Sequence, residues 1–478
     1  MESTQEAGSI ERTFNSTFWC ATIAVALFVL GRSVMNMAAF PLFDTVFPYA
    51  RDISVAANAI LLLGVGYVSA FKPRALHLEL FVGMTLLFLA LGSVMTVAAL
   101  FVRPSAASLV LGASFISLGR AGVNVMVGLV VAQNDAVRAS VAVTVGFNLG
   151  YAFTALSWLA PMIVGFCLYL GAPLATLALV RRRVQPTLDR IAESEAPLDV
   201  VITQPNTFLP LASQVFVCLF MFHLAFGFAM RFGEVGGVPV ADFITLVPLG
   251  AVAIGVIVTW HVLDSDAVVR ASLLLFVAGF FLVNARDPSL LEASSIVLSM
   301  GNALFSMVAW VVLAAVAHRN PTTGVSAFAW GSGVGAVGSI FGASLGVWGN
   351  QLFAIESDVL VVVSMAVVVA LVGYLIFAMQ GFSFGDTVMG VVRTVDAREE
   401  PAIDPAKDFD VRCASIAGEY GLTPRESEVF KMLACGKDRA AIEEELVISR
   451  NTVKAHVKHI YAKLGIHSHP ELLALIHP

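Results

Sequence analysis

Polarity along this chain alternates on a long wavelength. Apolar stretches occupy 18–40, 53–71, 78–102, 106–132, 138–158 and 160–180, then 208–230, 241–262, 267–284, 290–317, 324–347 and 355–379. At ~1.5 Å of rise per residue, a helix of this length crosses a hydrocarbon core ~30 Å thick. The longest polar break, 181–207, opens with Arg181-Arg182-Arg183 and divides the twelve stretches six and six. After residue 380 the pattern changes twice. Residues 381–418 hold glycines, prolines and charges with no sustained apolar period, and read as a linker. From Leu422 apolar positions return at amphipathic helical spacing. The pattern predicts an all-α chain: a polytopic bundle of twelve transmembrane helices (6+6), then a small four-helix domain. Its parts are an N-terminal segment 1–17, membrane halves 18–180 and 208–380 joined by a central loop 181–207, a linker 381–418 and a terminal domain 419–478.

Composition agrees. Hydrophobic residues make up 58% and charged residues 13%, against about 25% charge in a soluble domain. The net charge of −6 conceals an uneven distribution. Asp386, Asp396, Glu399, Glu400, Asp404, Asp408 and Asp410 make the linker acidic against Arg393, Arg398 and Lys407. The first seventeen residues are polar and carry both Glu and Arg, unlike a cleavable signal peptide, so the first span is expected to remain as an anchor. Cys20, Cys167, Cys218, Cys413 and Cys435 form no C-x-x-C and no metal-ligand spacing. With no Walker motif, nucleophile elbow or zinc pattern, neither an enzyme nor a cofactor is expected.

Orientation follows from Lys and Arg. With the N-terminus inside, the inner segments hold Arg12, Lys72, Arg74, Arg138, Arg181, Arg182, Arg183, Arg190, Arg270 and Arg319. The outer ones hold Arg51, Arg103, Arg231 and Arg286. An even number of spans then returns the C-terminal domain to the cytoplasm. The expected location is a bacterial inner membrane, with both termini in the cytoplasm.

In the terminal domain, Thr423-Pro424 with Glu426 makes a capping box, and Val429, Phe430, Leu433 and Ala434 form the first apolar stripe up to Gly436. Asp438 is a cap for a second helix through Leu446 that turns Ile442 and Leu446 inward. Ser449 caps a third, with Val453, Val457, Ile460 and Leu464 on one face and Gly465 as its stop. Ser468 before Pro470 starts a short fourth helix through Ile476. The opposite face of the third helix carries Arg450, Asn451, Lys454, Lys458 and Tyr461, with His456 beside them. Such a cationic face suits a major groove.

The motif Thr423-Pro424-Arg425-Glu426-x-Glu428-Val429, followed by Gly436, Ile448-Ser449-x-x-Thr452-Val453-Lys454-x-His456 and Lys463-Leu464-Gly465, resembles the LuxR/GerE family of helix-turn-helix regulators. That resemblance implies that Lys454, Ala455 and Lys458 face bases of double-stranded DNA. It also implies that Thr452, His456 and the start of the second helix lie near phosphates, and that the last helix makes a homodimer. One position departs from the family: Glu443 stands where a small residue usually follows the helix-two isoleucine, and it opens Glu443-Glu444-Glu445. Facing phosphate, these charges would weaken monomer binding; facing solvent, they are neutral.

Six plus six spans around a basic loop resemble the major facilitator superfamily of transporters. The loop Phe71-Lys72-Pro73-Arg74 lacks a clear copy of that family's Gly/Asp/Arg motif, which counts against transport. Polar residues deep in spans are costly and mark function. The pattern L-G-R-x-x-x-N occurs twice, with Arg32 and Asn36 in the first span and Arg120 and Asn124 in the fourth, each pair on one helix face. By the facilitator resemblance, spans one, four, seven and ten line a central cavity, and those spans carry Arg32, Arg120, His223 and Asn302. No acidic residue is evident deep in a span. One reading makes Arg32, Asn36, Arg120, Asn124, His223 and Asn302 a site for a small anion, held by bidentate guanidinium pairing. In the others, the arginines bond backbone carbonyls, snorkel, or meet an unseen acid, and His223 is a satisfied interior residue. The glycines from Gly331 to Gly346 read as close helix packing.

The expected function is a membrane-bound LuxR-family transcription regulator that senses a small-molecule ligand in the bilayer-embedded domain. The alternative is a facilitator-like secondary transporter with a regulatory DNA-binding tail.

Overall fold

The computed structural model describes residues 15–72, 74, 77–193, 214–231, 239–283, 287–319, 324–353, 359–378, 382–389, 413, 416–418, 420–434, 442–443, 446, 449–466 and 471–472. The chain divides between Arg393 and Thr394 into two compact units, and among the described residues both are helical without strands.

The first unit runs α1 (Ser16–Asp44), α2 (Ala50–Phe71), α3 (Leu78–Val102), α4 (Ala106–Val131), α5 (Ala136–Ser157) and α6 (Met162–Glu193). It continues with α7 (Gln214–Arg231), α8 (Pro239–Thr259), α9 (Ser265–Val283), α10 (Pro288–Arg319) and α11 (Gly324–Phe353). Among the described residues, eleven helices are long and apolar enough to cross a membrane. The predicted twelfth, α12 (Val359–Gly373), passes into a π-turn at Tyr374–Ala378, and its apolar helix is the shorter Val362–Ile376. Two predicted loops begin as helix. Arg181 to Glu193 prolongs α6, and α13 (Phe384–Met389) lies in the stretch read as a linker. Residues 194–207 of the first stretch and 390–412 of the second fall outside the described residues, as do residues 1–14.

The packing repeats with a shift of six helices. Helix α1 packs on α5 as α7 packs on α11. In the same way α3 on α4 recurs as α9 on α10, and α2 on α4 recurs as α8 on α10. Between these halves, α2 meets α11 and α5 meets α8, a pair that maps onto itself. Glycines set the first repeat. A Cβ on Gly146 or Gly150 of α5 would press within 2.9 Å of the Thr22 or Ala26 carbonyl of α1. On α11, a Cβ at Gly338 or Gly342 would collide with the Phe220 or Leu224 carbonyl of α7. Small residues four apart let two backbones touch, which replaces the hydrophobic driving force that lipid removes. The predicted role of the glycine run is therefore the observed one for this pair.

Side-chain donors bridge the halves. Asn148 donates to the Leu249 carbonyl at 3.0 Å, and Trp330 to the Leu63 carbonyl at 3.3 Å. Asp266, in the first turn of α9, receives the backbone N–H groups of Phe384 at 2.8 Å and Gly385 at 3.1 Å, and the Ser383 hydroxyl at 2.5 Å. This carboxylate satisfies the free donors at the start of α13. Phe384 and Val388 are buried in the core of the unit, and α13 packs on α9 and α10.

In the second unit, α14 (Pro424–Ala434) opens with the predicted capping box. Thr423 N–H donates to Glu426 Oε2 at 2.8 Å, and Glu426 N–H to Thr423 Oγ1 at 3.3 Å. Helix α15 (Arg450–Leu464) starts at Ser449, whose side chain accepts from Thr452 N–H, and ends at Gly465 with φ +67°. Val429, Phe430, Leu433, Ile442, Val453, Val457, Ile460 and Leu464 form one buried core. These are the positions that the periodicity assigns inward. Of the second predicted helix only Ile442, Glu443 and Leu446 are described, and of the fourth only Glu471 and Leu472; the Asp438 and Ser468 caps lie outside.

Candidate ligand cavity and DNA-reading helix

A cavity of about 350 Å³ lies inside the membrane unit. All six residues singled out from the sequence line it: Arg32, Asn36, Arg120, Asn124, His223 and Asn302. The volume falls in the range of small-molecule sites, roughly 300–1,000 Å³.

Helix α1 is not regular here. It passes into a π-turn over Met35–Ala39, three residues after Arg32, so Arg32 and Asn36 do not keep the ideal α-helical register assumed for them. Both still reach the cavity. A π-turn widens the helix by one residue and is frequent at functional sites.

Arg120 donates to the Gly31 carbonyl at 2.9 Å, and its guanidinium lies 5.5 Å from the centre of the Tyr169 ring. The backbone-carbonyl bond foreseen for the arginines is thus present at Arg120, on a side chain that also lines the cavity. Arg32 is within electrostatic reach of Arg120, Tyr151 and His223. Among the described residues no carboxylate pairs with Arg32 or Arg120. Two guanidinium groups therefore face one cavity without an ion-pair partner among the described residues. His223 Nδ1 sits 2.8 Å from the Leu219 carbonyl. A carbonyl only accepts, so Nδ1 holds the proton and Nε2 of the neutral ring is the free acceptor.

Three lining oxygens have no hydrogen-bond partner: Asn124 Oδ1, Asn58 Oδ1 and Ser306 Oγ. Asn124 is 8% exposed and Ser306 3%. Buried polar atoms of this kind cost about 1–3 kcal/mol each when unsatisfied, which favours an occupant that bonds them.

The cavity also holds acids that the sequence reading did not find. Asp52 and Asp242 line it from the first turns of α2 and α8, helices related by the shift of six. Asp52 is bound to Arg231 of α7 at 2.7 Å, and Asp242 accepts from Trp158 Nε1 at 2.8 Å. Arg51 stacks over Phe40 at 4.8 Å. A signal was present: each acid opens an apolar stretch, and Arg231 closes another.

In the second unit the reading face of α15 is exposed at Asn451, Thr452, Lys454, Ala455 and Lys458, and His456 is half-buried. The Arg450 side chain lies outside the described residues. Glu443 is half-buried. A tie not foreseen joins α15 to α14: Lys463 Nζ donates to Glu426 Oε2 at 2.7 Å and to the Gly421 carbonyl at 2.9 Å. The bonds from Lys463 and from Thr423 N–H hold the Glu426 carboxyl down at about 2. The reading helix is thereby locked to the cap of α14.

Comparisons with known proteins separate along the same division. Residues 421–476 match the family described as bacterial regulatory proteins, luxR family. Over this region the chain is 36% identical to the probable transcriptional regulatory protein NarL of Mycobacterium tuberculosis, across 13% of this chain and 36% of that protein. It is 39% identical to the nitrate/nitrite response regulator protein NarL of Escherichia coli, across 12% and 26%. The chain thus spans about a third of the length of these relatives, or less. The rest superposes on solved transporters. One is the human organic anion transporter MFSD10, with TM-score 0.52, 13% identity, and cover of 76% of this chain and 98% of that one. Another is a bacterial homologue of the iron transporter ferroportin in its outward-facing state, with TM-score 0.52, 13% identity, and cover of 75% and 98%. At that identity the likeness concerns fold. Residues 421–476 are a LuxR/GerE-type helix-turn-helix domain, and the preceding helices have the fold of major facilitator superfamily transporters. The protein joins a DNA-binding regulator domain to a membrane domain.

Proposed function

We propose that this protein is a one-component transcription regulator, in which a small anion bound in the membrane cavity controls DNA binding by the tail. The observation that carries the reading is the pair Arg32 and Arg120, which line one cavity and make no ion pair with a carboxylate among the described residues. A guanidinium without an ion-pair partner in a low-dielectric site favours an anion, and it binds carboxylate or phosphate through paired bonds. Asn36, Asn124, His223 and Asn302 supply further hydrogen bonds. On the DNA side, Arg450, Asn451, Thr452, Lys454, Ala455, His456 and Lys458 contact the duplex, and the tails pair as a homodimer. The protein sits in a bacterial inner membrane with both termini in the cytoplasm. Ligand control requires that the two states of the membrane domain differ in ligand affinity.

Chromatin immunoprecipitation of the full chain in several growth media tests this. Wild-type occupancy is expected to vary with medium. Arg32→Gln should reach the membrane in normal amount, with occupancy that no longer varies. Unchanged variation in Arg32→Gln sinks the reading. The membrane fold also favours a second reading, a transporter whose tail regulates expression. Uptake of labelled organic acids into vesicles, lost in Arg32→Gln, separates the two.

A further inference from the structure

The lining of the cavity is graded along its length. Alternate spans start at the same face of the bundle, so α2, α8 and α10 share a starting end. Asp52 and Asp242, in the first turns of α2 and α8, line the cavity at that end. Helix α1 runs toward it and closes at Asp44, so Arg32 lies deeper and Phe28, about one turn earlier, deeper still. Helix α10 runs the other way, and Trp310 follows Asn302 by about two turns, at the same deep end.

Both rings present surface to this space. Phe28 is half-buried and lines the cavity. It stands about two and a half turns from Trp19, the exposed residue of α1, and so points the opposite way, on the face it shares with Arg32. Helix α10 is buried all round from Gly301 to Ala317, so the 7% of Trp310 that stays exposed opens on the cavity it lines. The two rings are 5.0 Å apart between centres and tilted by 48°. Phe28 also borders a second, small void with Arg120 and Gly31, which sets it beside that guanidinium too. Acids, guanidinium pair and aromatic rings thus follow one another along the cavity.

We infer that the occupant is an arylcarboxylate with a single anionic group, its carboxylate on Arg32 and Arg120 and its ring on Phe28 and Trp310. The inference rests on the anion reading above and adds the body that the anion carries. A flat ring meets Phe28 and Trp310 through edge or offset contacts, and its burial adds the free energy of removing apolar surface from water. A second carboxylate beyond the ring would be desolvated among aromatic side chains. On the other side of the arginines it would approach Asp52 and Asp242, and like charges repel. An inorganic anion would leave the ring surface uncovered.

The test measures binding of radiolabelled phenylacetate to the purified full chain in detergent, with unlabelled competitors. Acetate, phenylacetamide and 1,4-phenylenediacetate should each compete at least tenfold less well than phenylacetate. Hexanoate, apolar without a ring, should compete about threefold less well or worse. Acetate or hexanoate competing as well as phenylacetate overturns the aromatic body and leaves the anion reading standing. Phenylacetamide competing as well overturns the anion reading and this inference with it. The diacid competing as well overturns the single charge. No binding of phenylacetate overturns the proposed class, while the occupancy experiment still decides the anion reading. Phe28→Leu keeps an apolar side chain at a half-buried position and should erase the preference for phenylacetate over hexanoate. A preference that survives Phe28→Leu counts against the assigned ring contact.

Discussion

The two units of this protein place charge with opposite logic. In the DNA-binding domain the apolar residues Val453, Val457, Ile460 and Leu464 are inside, and Lys454 and Lys458 face outward. In the membrane unit Ile60, Leu86, Val94 and Phe101 face outward, and Arg32 and Arg120 line the interior cavity. A cation on the first surface is cheap, because water solvates it. A cation in the second interior costs several kcal/mol unless something offsets it. Charge therefore marks function faintly in the tail, where only its clustering on one face is informative. In the bundle each single charge is informative.

The comparison breaks most sharply if charge is moved the wrong way. Ile460→Asp puts an unpaired carboxylate into the small core of the tail and should cost about 4 kcal/mol. Limited proteolysis of the full chain should then cut the tail and spare the membrane unit. Gly342→Val tests packing rather than charge. Its side chain meets the Leu224 carbonyl of α7, and a loss of about 1–3 kcal/mol is expected, read as a lower thermal midpoint in detergent. Lys454→Ala leaves both cores intact and should weaken operator binding by about 1–3 kcal/mol if the lysine reads a base edge. A merely reduced salt slope would assign it to phosphate.

The smallest effect concerns pH. Glu426 ordinarily titrates at 4.5 and is held at about 2 in the folded tail. Its stabilisation is complete above 4.5 and is lost as pH falls toward 2, because the unfolded state binds the proton first. Hydrogen exchange of α15 in the full chain, corrected for intrinsic rates, should show protection falling over that window. Glu426→Gln should flatten the dependence.

How much of this was legible depended on distance along the chain. The capping box of Thr423 and Glu426 spans three residues and could be read directly. The bond from Lys463 to the same carboxylate spans 37 residues and could not. Arg32 and Arg120 stood out because nothing apolar tolerates them, and the packing of α1 on α4 brings them to one cavity. Asp52 and Asp242 went unnoticed because a carboxylate in the first turn of a helix is ordinary. Only the tertiary arrangement turns those two helix starts toward the same space. The π-turn after Arg32 leaves no periodicity signal, since one added residue lies within the tolerance of a continuous apolar run.

The carboxylate of Asp266 has a mechanical consequence. It ties the first turn of α13 to α9, and α13 rests on α9 and α10, both in the second half of the bundle. The last described helix of the membrane unit is thus made fast to that second half at its own first turn.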